Sequence, residues 1–205
     1  MQQDGFLDKE LTDTSFIPEA QRPINQHWSW DRILRSPYIK QADVLQGFYF
    51  FEDDFSNDQL QKNFDFYEPF TVHESSLSPS IHAVLAAKLG RVEQAYNFYL
   101  RTSRLDLDDY NAEVKEGLHI TSMAGTWLSV VEGFGGMRVK NNVVHFNPQL
   151  PKAWKSFSFK INFRGSILEL FVSESGSKVT LLEGQPVAVF LNGSAISSDQ
   201  NKVLT

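Results

Sequence analysis

The hydrophobic period of this chain changes once along its length, from about 3.6 residues to 2, and the change falls at the glycines Gly133, Gly135 and Gly136. Before it, apolar side chains recur at helical spacing. Val44, Leu45, Phe48 and Phe51 share one face of a helix that begins near Gln41, and a second helix is predicted from about Asp58 to Phe66. Ser78-Pro79 reads as an N-cap followed by proline at the first helical position, where a missing N–H costs nothing. Ile81, Val84, Leu85 and Leu89 then form the inward stripe, and Gly90 supplies a left-handed stop. Val92, Ala95, Tyr96 and Tyr99 give the inner face of the next helix, which closes a helical hairpin. A further helix from about Thr121 to Glu132 is expected to turn Met123, Trp127, Val130 and Val131 inward, and the three glycines end it.

Beyond the glycines, Phe157, Phe159, Ile161 and Phe163 alternate with Ser158, Lys160 and Asn162, as a half-buried strand must. Asn141-Asn142 and Arg164-Gly165 read as two-residue hairpin turns, and more strands are expected over residues 166–172, 179–182 and 187–191. Helices in one block and strands in another argue for an α+β chain of two segregated units, not an alternating parallel sheet. The expected division is residues 1–136, 137–193, and a disordered polar tail over 194–205. Residues 2–38 hold neither period and contain Pro18, Pro23 and Pro37, so they read as an irregular arm. The predicted helices are too few to close a helical barrel, so the helical block reads as incomplete.

Composition narrows the function classes. The net charge of −6 gives no electrostatic reason to approach nucleic acid or an anionic membrane. With no cysteine, disulfides and thiolate metal sites are excluded, and the five histidines show no His-x-x-x-His pair for a metal. Metal binding is therefore not expected. Residues 1–20 carry five acidic side chains and no apolar run of leader length, and no segment reaches the ~20 apolar residues of a bilayer span, so a cytoplasmic protein is expected.

Three segments are placed for chemistry. Lys40-Gln41 lies where the arm meets a helix; the pair can hydrogen-bond vicinal sugar hydroxyls or simply face solvent. His73-Glu74-Ser75-Ser76 precedes the Ser78-Pro79 helix start, where free N–H groups and the helix dipole favour an anion such as phosphate. The alternative is a capping loop whose serines bond only to backbone. His119 also precedes a helix start, and is either an anion ligand or a structural histidine, the reading given outright to His73 and His82. Asp106, Asp108 and Asp109 lack the spacing of a calcium loop and read as loop caps, and Glu52-Asp53-Asp54 reads as solvent-facing.

Taken together and in order, six segments resemble glycoside hydrolase family 65, the disaccharide phosphorylases. They are Gln26-His27-Trp28-Ser29-Trp30-Asp31; residues 36–44 with Lys40-Gln41; Asn63-Phe64-Asp65-Phe66-Tyr67-Glu68-Pro69; His73-Glu74-Ser75-Ser76-Leu77-Ser78-Pro79; residues 99–111; and Gly117-Leu118-His119-Ile120. The resemblance covers nearly the whole chain, and the arm at residues 21–30 is most like the members that act on maltose. It implies the last helices of an (α/α)6 barrel followed by a small antiparallel β-sandwich. It also implies inverting phosphorolysis without metal or organic cofactor, in which phosphate attacks the anomeric carbon of an α-glucoside and β-glucose 1-phosphate leaves with a free sugar. Phosphate, already an anion, replaces the water and general base of an inverting hydrolase. By matching position, Ser75, Ser76 and His119 are expected to bind phosphate, and Lys40 and Gln41 the glucosyl hydroxyls.

The family's general acid, a glutamate, matches no residue of this chain and is expected upstream, so the chain alone is expected to be inactive. Glu68 and Glu74 are assigned structural or positioning roles. Other members act on trehalose, kojibiose or nigerose, and many are homodimers. A non-catalytic sugar-binding or scaffolding module is the competing class.

Overall fold

The computed structural model describes residue 5 and residues 8–197. The arm is built of short turns: 3-10 segments at Thr14–Phe16 and Glu19–Gln21, then α1 (Ile24–His27) and α2 (Trp30–Arg35). Its anchor is a small apolar cluster of Ile17, Ile24 and Val72, flanked by Trp28, Ile33 and Tyr38. Four longer helices and a single turn follow: α3 (Asp43–Phe50), α4 (Asn57–Tyr67), α5 (Ser78–Lys88), α6 (Val92–Ser103) and the turn α7 (Leu105–Asp108). The last, α8 (Ile120–Leu128), runs on into a π-helical segment, Ser129–Phe134.

The helix starting at Ser78 differs from expectation in two ways. Leu77 is its N-cap and Ser78 its first residue; the Ser78 hydroxyl is taken by His73 Nδ1 at 2.9 Å. In addition, α5 has no single inward stripe, because every residue from Ser78 through Ala87 is buried. It is the central helix, with α3, α6, α8 and the π segment packed round it. The expected inward stripe of Met123, Trp127, Val130 and Val131 holds at Val131, which is buried, and is corrected at its first two members. Met123 and Trp127 face outward, and the helix instead buries Ser122 and Gly125, small residues that let it lie close to α5 and α6. A Cβ at Gly125 would stand 2.6 Å from Ser80 Cβ and 3.3 Å from Thr102 Cγ2. Gly133 does not break the helix either; it lies buried inside the π segment, and the chain turns away at Gly136, with φ +57°.

The strands are β1 (Arg138–Lys140), β2 (Val143–Phe146), β3 (Ser156–Phe163), β4 (Ser166–Ser173), β5 (Gly176–Glu183), β6 (Ala188–Leu191) and β7 (Ser194–Ser197). They form two sheets, ordered β1-β2-β6-β7 and β3-β4-β5. Both expected tight turns are present, with positive φ at Asn141, Asn142, Arg164 and Gly165, the backbone a two-residue hairpin of right-handed twist requires. The sheets share one core of Val144, Phe146, Leu168, Leu170, Val172, Val179, Leu181, Val189 and Leu191. The sandwich is antiparallel except where β2 runs parallel to β6. The expected tail is corrected at its start: residues 194–197 pair with β6, Leu191 facing Ser194 and Val189 facing Ile196, because Asn192-Gly193 make a further tight turn. Residues 198–205 lie outside the described residues.

The two units are joined by aromatic and ionic contacts. Trp154, on the connection from β2 to β3, meets Tyr96, Tyr99 and Phe134 edge-on at 5.8, 5.3 and 5.1 Å. Glu52, expected in solvent, has a largely buried side chain that pairs with Arg138 of β1 at 2.9 Å and Lys88 of α5 at 3.3 Å. Arg138 and Lys88 hold its carboxyl below the usual range against the opposing effect of burial, the largest single influence on it.

Candidate functional site

A single parallel bridge, Ile39 to Thr71, fixes the geometry of the polar face. The Ile39 N–H donates to Phe70 O and the Val72 N–H to Ile39 O, each at 2.9 Å. Lys40-Gln41 therefore runs beside the chain that becomes His73-Glu74-Ser75-Ser76 two residues later. Across that junction Ser75 Oγ donates to Gln41 Oε1 at 3.0 Å. Lys40 is exposed and makes no hydrogen bond or ion pair among the described residues.

The loop at 73–76 is held from three sides. His73 takes a left-handed φ of 55° and is anchored by Ser78. Arg101, from α6, donates to the carbonyls of His73 at 3.1 Å and Val72 at 3.4 Å. The Glu74 carboxylate turns away and accepts the N–H groups of Ile24 at 2.6 Å and Asn25 at 3.3 Å, capping α1. Burial pushes its carboxyl up, against the lowering effect of those two N–H groups. His73 and His82 are buried edge-to-face with centroids 4.4 Å apart. Burial depresses both, His82 to about 4 and His73 well below the ordinary histidine value, so both rings are neutral.

Ser75 accepts the Leu77 N–H at 3.3 Å as a capping serine would, but its bond to Gln41 and the contact of Ser76 Oγ with Thr121 Oγ1 at 2.6 Å are both to side chains. Thr121 is in the first turn of α8, two residues past His119, its N-cap. The loop thus bridges from Gln41 on one side to the start of α8 on the other, which brings the starts of α5 and α8 close together. His119 itself is gripped by Asp106 of α7: Oδ2 accepts its backbone N–H at 2.9 Å and Oδ1 meets Nδ1 at 2.5 Å. That hydrogen bond to His119 holds the Asp106 carboxyl below the usual range. Glu113 Oε2 lies 3.8 Å from His119 Nε2.

Sequence reasoning missed Thr121 and Glu113 and read Asp106 only as a cap. Asp109 is such a cap, accepting the Val114 N–H at 3.0 Å, and Asp108 pairs with Arg104. Among the described residues no cluster of three metal-ligating side chains occurs, and no helix is long and apolar enough to cross a membrane. Elsewhere, a groove of about 490 Å³ along the arm is lined by Phe16, Trp28, Arg32 and Tyr38. The Arg32 guanidinium sits 3.6 Å over the Trp28 ring and occupies the face a pyranose would stack on.

Residues 1–128 match the model of the glycosyl hydrolase family 65 central catalytic domain, and residues 137–197 that of the family's C-terminal domain. The chain is 53% identical over 187 residues to a maltose phosphorylase of Bacillus subtilis (strain 168), an alignment covering 91% of this chain and 25% of that protein. It is 43% identical over 202 residues to an alpha,alpha-trehalose phosphorylase of Thermoanaerobacter brockii, covering 98% of this chain and 26% of the relative. A solved structure described as a putative kojibiose phosphorylase from human microbiome superposes with a TM-score of 0.88 at 41% identity, over 95% of this chain and 26% of that one. The chain spans about a quarter of the length of the curated relatives it matches.

Proposed function

The chain belongs to glycosyl hydrolase family 65, and on that premise we propose that it is the C-terminal portion of an inverting disaccharide phosphorylase, with maltose as the disaccharide. In this reading Ser75, Ser76 and His119 bind inorganic phosphate, and Lys40 and Gln41 bind hydroxyls of the glucosyl unit. The observation that carries it is the contact of Ser76 with Thr121, which draws the serine loop and the His119 segment to one place. Each segment precedes a helix start, where unpaired N–H groups and the positive end of the helix dipole favour an oxyanion.

The chemistry follows from the charge of the nucleophile. Hydrogen phosphate needs no general base; it needs donors that hold an oxygen toward the anomeric carbon, on the face opposite the departing glycosidic oxygen. That departing oxygen must take a proton. Glu74 is committed to the N–H groups of Ile24 and Asn25, and the family likeness assigns the acid to a glutamate that matches no residue of this chain. Maltose is favoured over trehalose and kojibiose by the degree of likeness alone.

Titration calorimetry with phosphate tests the site. The chain is expected to bind phosphate, and Ser75→Ala with Ser76→Ala to weaken it at least tenfold. Binding of longer glucans that survives those changes, with no phosphate binding, would replace this reading by that of a sugar-binding module. Release of glucose 1-phosphate from maltose and phosphate by the chain alone would refute the external acid.

A further inference from the structure

Asp106 touches His119 twice, and the two contacts have different consequences. The backbone contact at 2.9 Å caps the chain ahead of α8; the ring contact at 2.5 Å decides where the imidazole carries its hydrogen. An ionised carboxylate only accepts, so Nδ1 is the protonated nitrogen, and Nε2 is left as the atom that faces outward. The Nε2 atom has no hydrogen-bond partner among the described residues, since Glu113 Oε2, at 3.8 Å, is beyond hydrogen-bond range. Among the described residues the carboxylates within 4 Å of this ring are those of Asp106 from α7 and Glu113 from the following loop; Ser76 reaches Thr121, two residues further along the chain than His119.

We propose that Asp106 is a positioning residue for phosphate, holding His119 with hydrogen on Nδ1 so that Nε2 meets the anion, and that Glu113 opposes the anion and limits how tightly it is held. The proposal rests on the phosphate-site reading above. When phosphate is bound, Nδ1–H donates to Asp106 and Nε2–H donates to a phosphate oxygen, so the ring carries both hydrogens and stands between two anions. One N–H bond forms, at Nε2, and one O–H bond breaks, in a solvent hydronium or in the phosphate itself; no other bond changes. Such charge-assisted hydrogen bonds are about twice as strong as neutral ones.

Asp106→Asn separates positioning from capping. The amide oxygen can still accept the His119 N–H, but its NH2 group now faces Nδ1 and favours the tautomer with hydrogen on Nε2. Nitrogen NMR of the His119 ring, with phosphate as the only ligand, reads the difference. In the unsubstituted chain the ring is expected to show Nδ1–H alone, and both nitrogens protonated once phosphate is added. In Asp106→Asn the tautomer reverses without ligand, so Nε2–H still donates but from a neutral ring; the charge assistance is lost, phosphate binds several-fold more weakly, and the doubly protonated signal disappears. Glu113→Gln, which leaves the Asp106 contacts intact and does not depend on that variant folding, is expected to tighten phosphate several-fold. If Asp106→Asn binds phosphate like the unsubstituted chain while the Ser75 and Ser76 double variant does not, the positioning role is wrong and the site reading stands. Unchanged or weakened binding in Glu113→Gln overturns the part given to Glu113. Absence of phosphate binding by the unsubstituted chain, or binding that leaves the His119 signals unmoved, overturns both the site reading and this proposal.

Discussion

α5 and α8 both start beside the polar face that holds Ser75, Ser76 and His119, yet they meet the rest of the molecule in opposite ways. α5 is buried from Ser78 through Ala87; Ser78 Oγ meets His73 Nδ1 and His82 Nδ1 meets the Ser78 carbonyl at 3.1 Å, while His82 Nε2 is buried with no hydrogen-bond partner among the described residues. α8 is covered only along Ser122 and Gly125, while Ile120, Met123 and Trp127 stand 67%, 47% and 55% exposed. The contrast shows that the apolar side of a helix need not be its buried side. Close approach here is bought by the absence of side chain at Gly125 and by a hydroxyl, Ser122 Oγ, that reaches Thr102 O at 2.6 Å.

If the comparison holds, core truncation and surface truncation must differ sharply between these helices. Leu85→Ala, at a position with no exposure in α5, is expected to cost about 2–5 kcal/mol in urea unfolding. A cost under about 1 kcal/mol would mean α5 is not the central helix. The next largest effect is one of pH. The folded value of His82 is lowered to about 4 from an ordinary 6.5, so below pH 6.5 the unfolded chain binds a proton that the folded chain refuses. The stability contributed by neutral His82 is therefore present above pH 6.5 and lost as pH falls toward 4. The loss is on the order of 3 kcal/mol at about 1.4 kcal/mol per unit, and His82→Phe should make that part of the unfolding profile shallower, with His73, also depressed by burial, keeping the remaining slope. A smaller effect is expected at Gly125→Ala. Alanine is the better helix former, but its Cβ would collide with the buried Ser80, and overpacking of this kind costs about 1–3 kcal/mol. The smallest is Trp127→Ala on the outer face of α8, expected within about 0.5 kcal/mol in this chain. A loss of 2 kcal/mol or more there would show that something covers α8 in solution.

The division into helices and strands was legible because a change of period is a property of the sequence itself, and the turns at Asn141-Asn142 and Arg164-Gly165 were legible because few residue pairs tolerate two positive φ angles. The burial of α5 was not. A helix surrounded by others leaves no polar face to mark its orientation, and Ala83, Ala86 and Ala87 carry little signal in either direction. The facing of α8 was misread because period alone cannot tell an apolar face that is packed from one that is open. At the candidate site, Ser75 and Gln41 were picked out separately, but their contact depends on the Ile39 to Thr71 bridge, whose partners are 32 positions apart. Asp106 was weighed as a cap because only the fold brings it onto the ring of a histidine 13 residues later.

Trp154 has a consequence for how the molecule comes apart. Its ring sits among Tyr96, Tyr99 and Phe134 of the helices and also meets Phe157 of β3 at 5.6 Å, and Phe157 in turn packs against both apolar cores, so the pair joins them. Neither core can loosen without exposing a shared wall of aromatic surface, and the cooperativity of small domains extends across such a wall. The chain should therefore melt in one heat-absorption peak, and Trp154→Ala should split that peak in two.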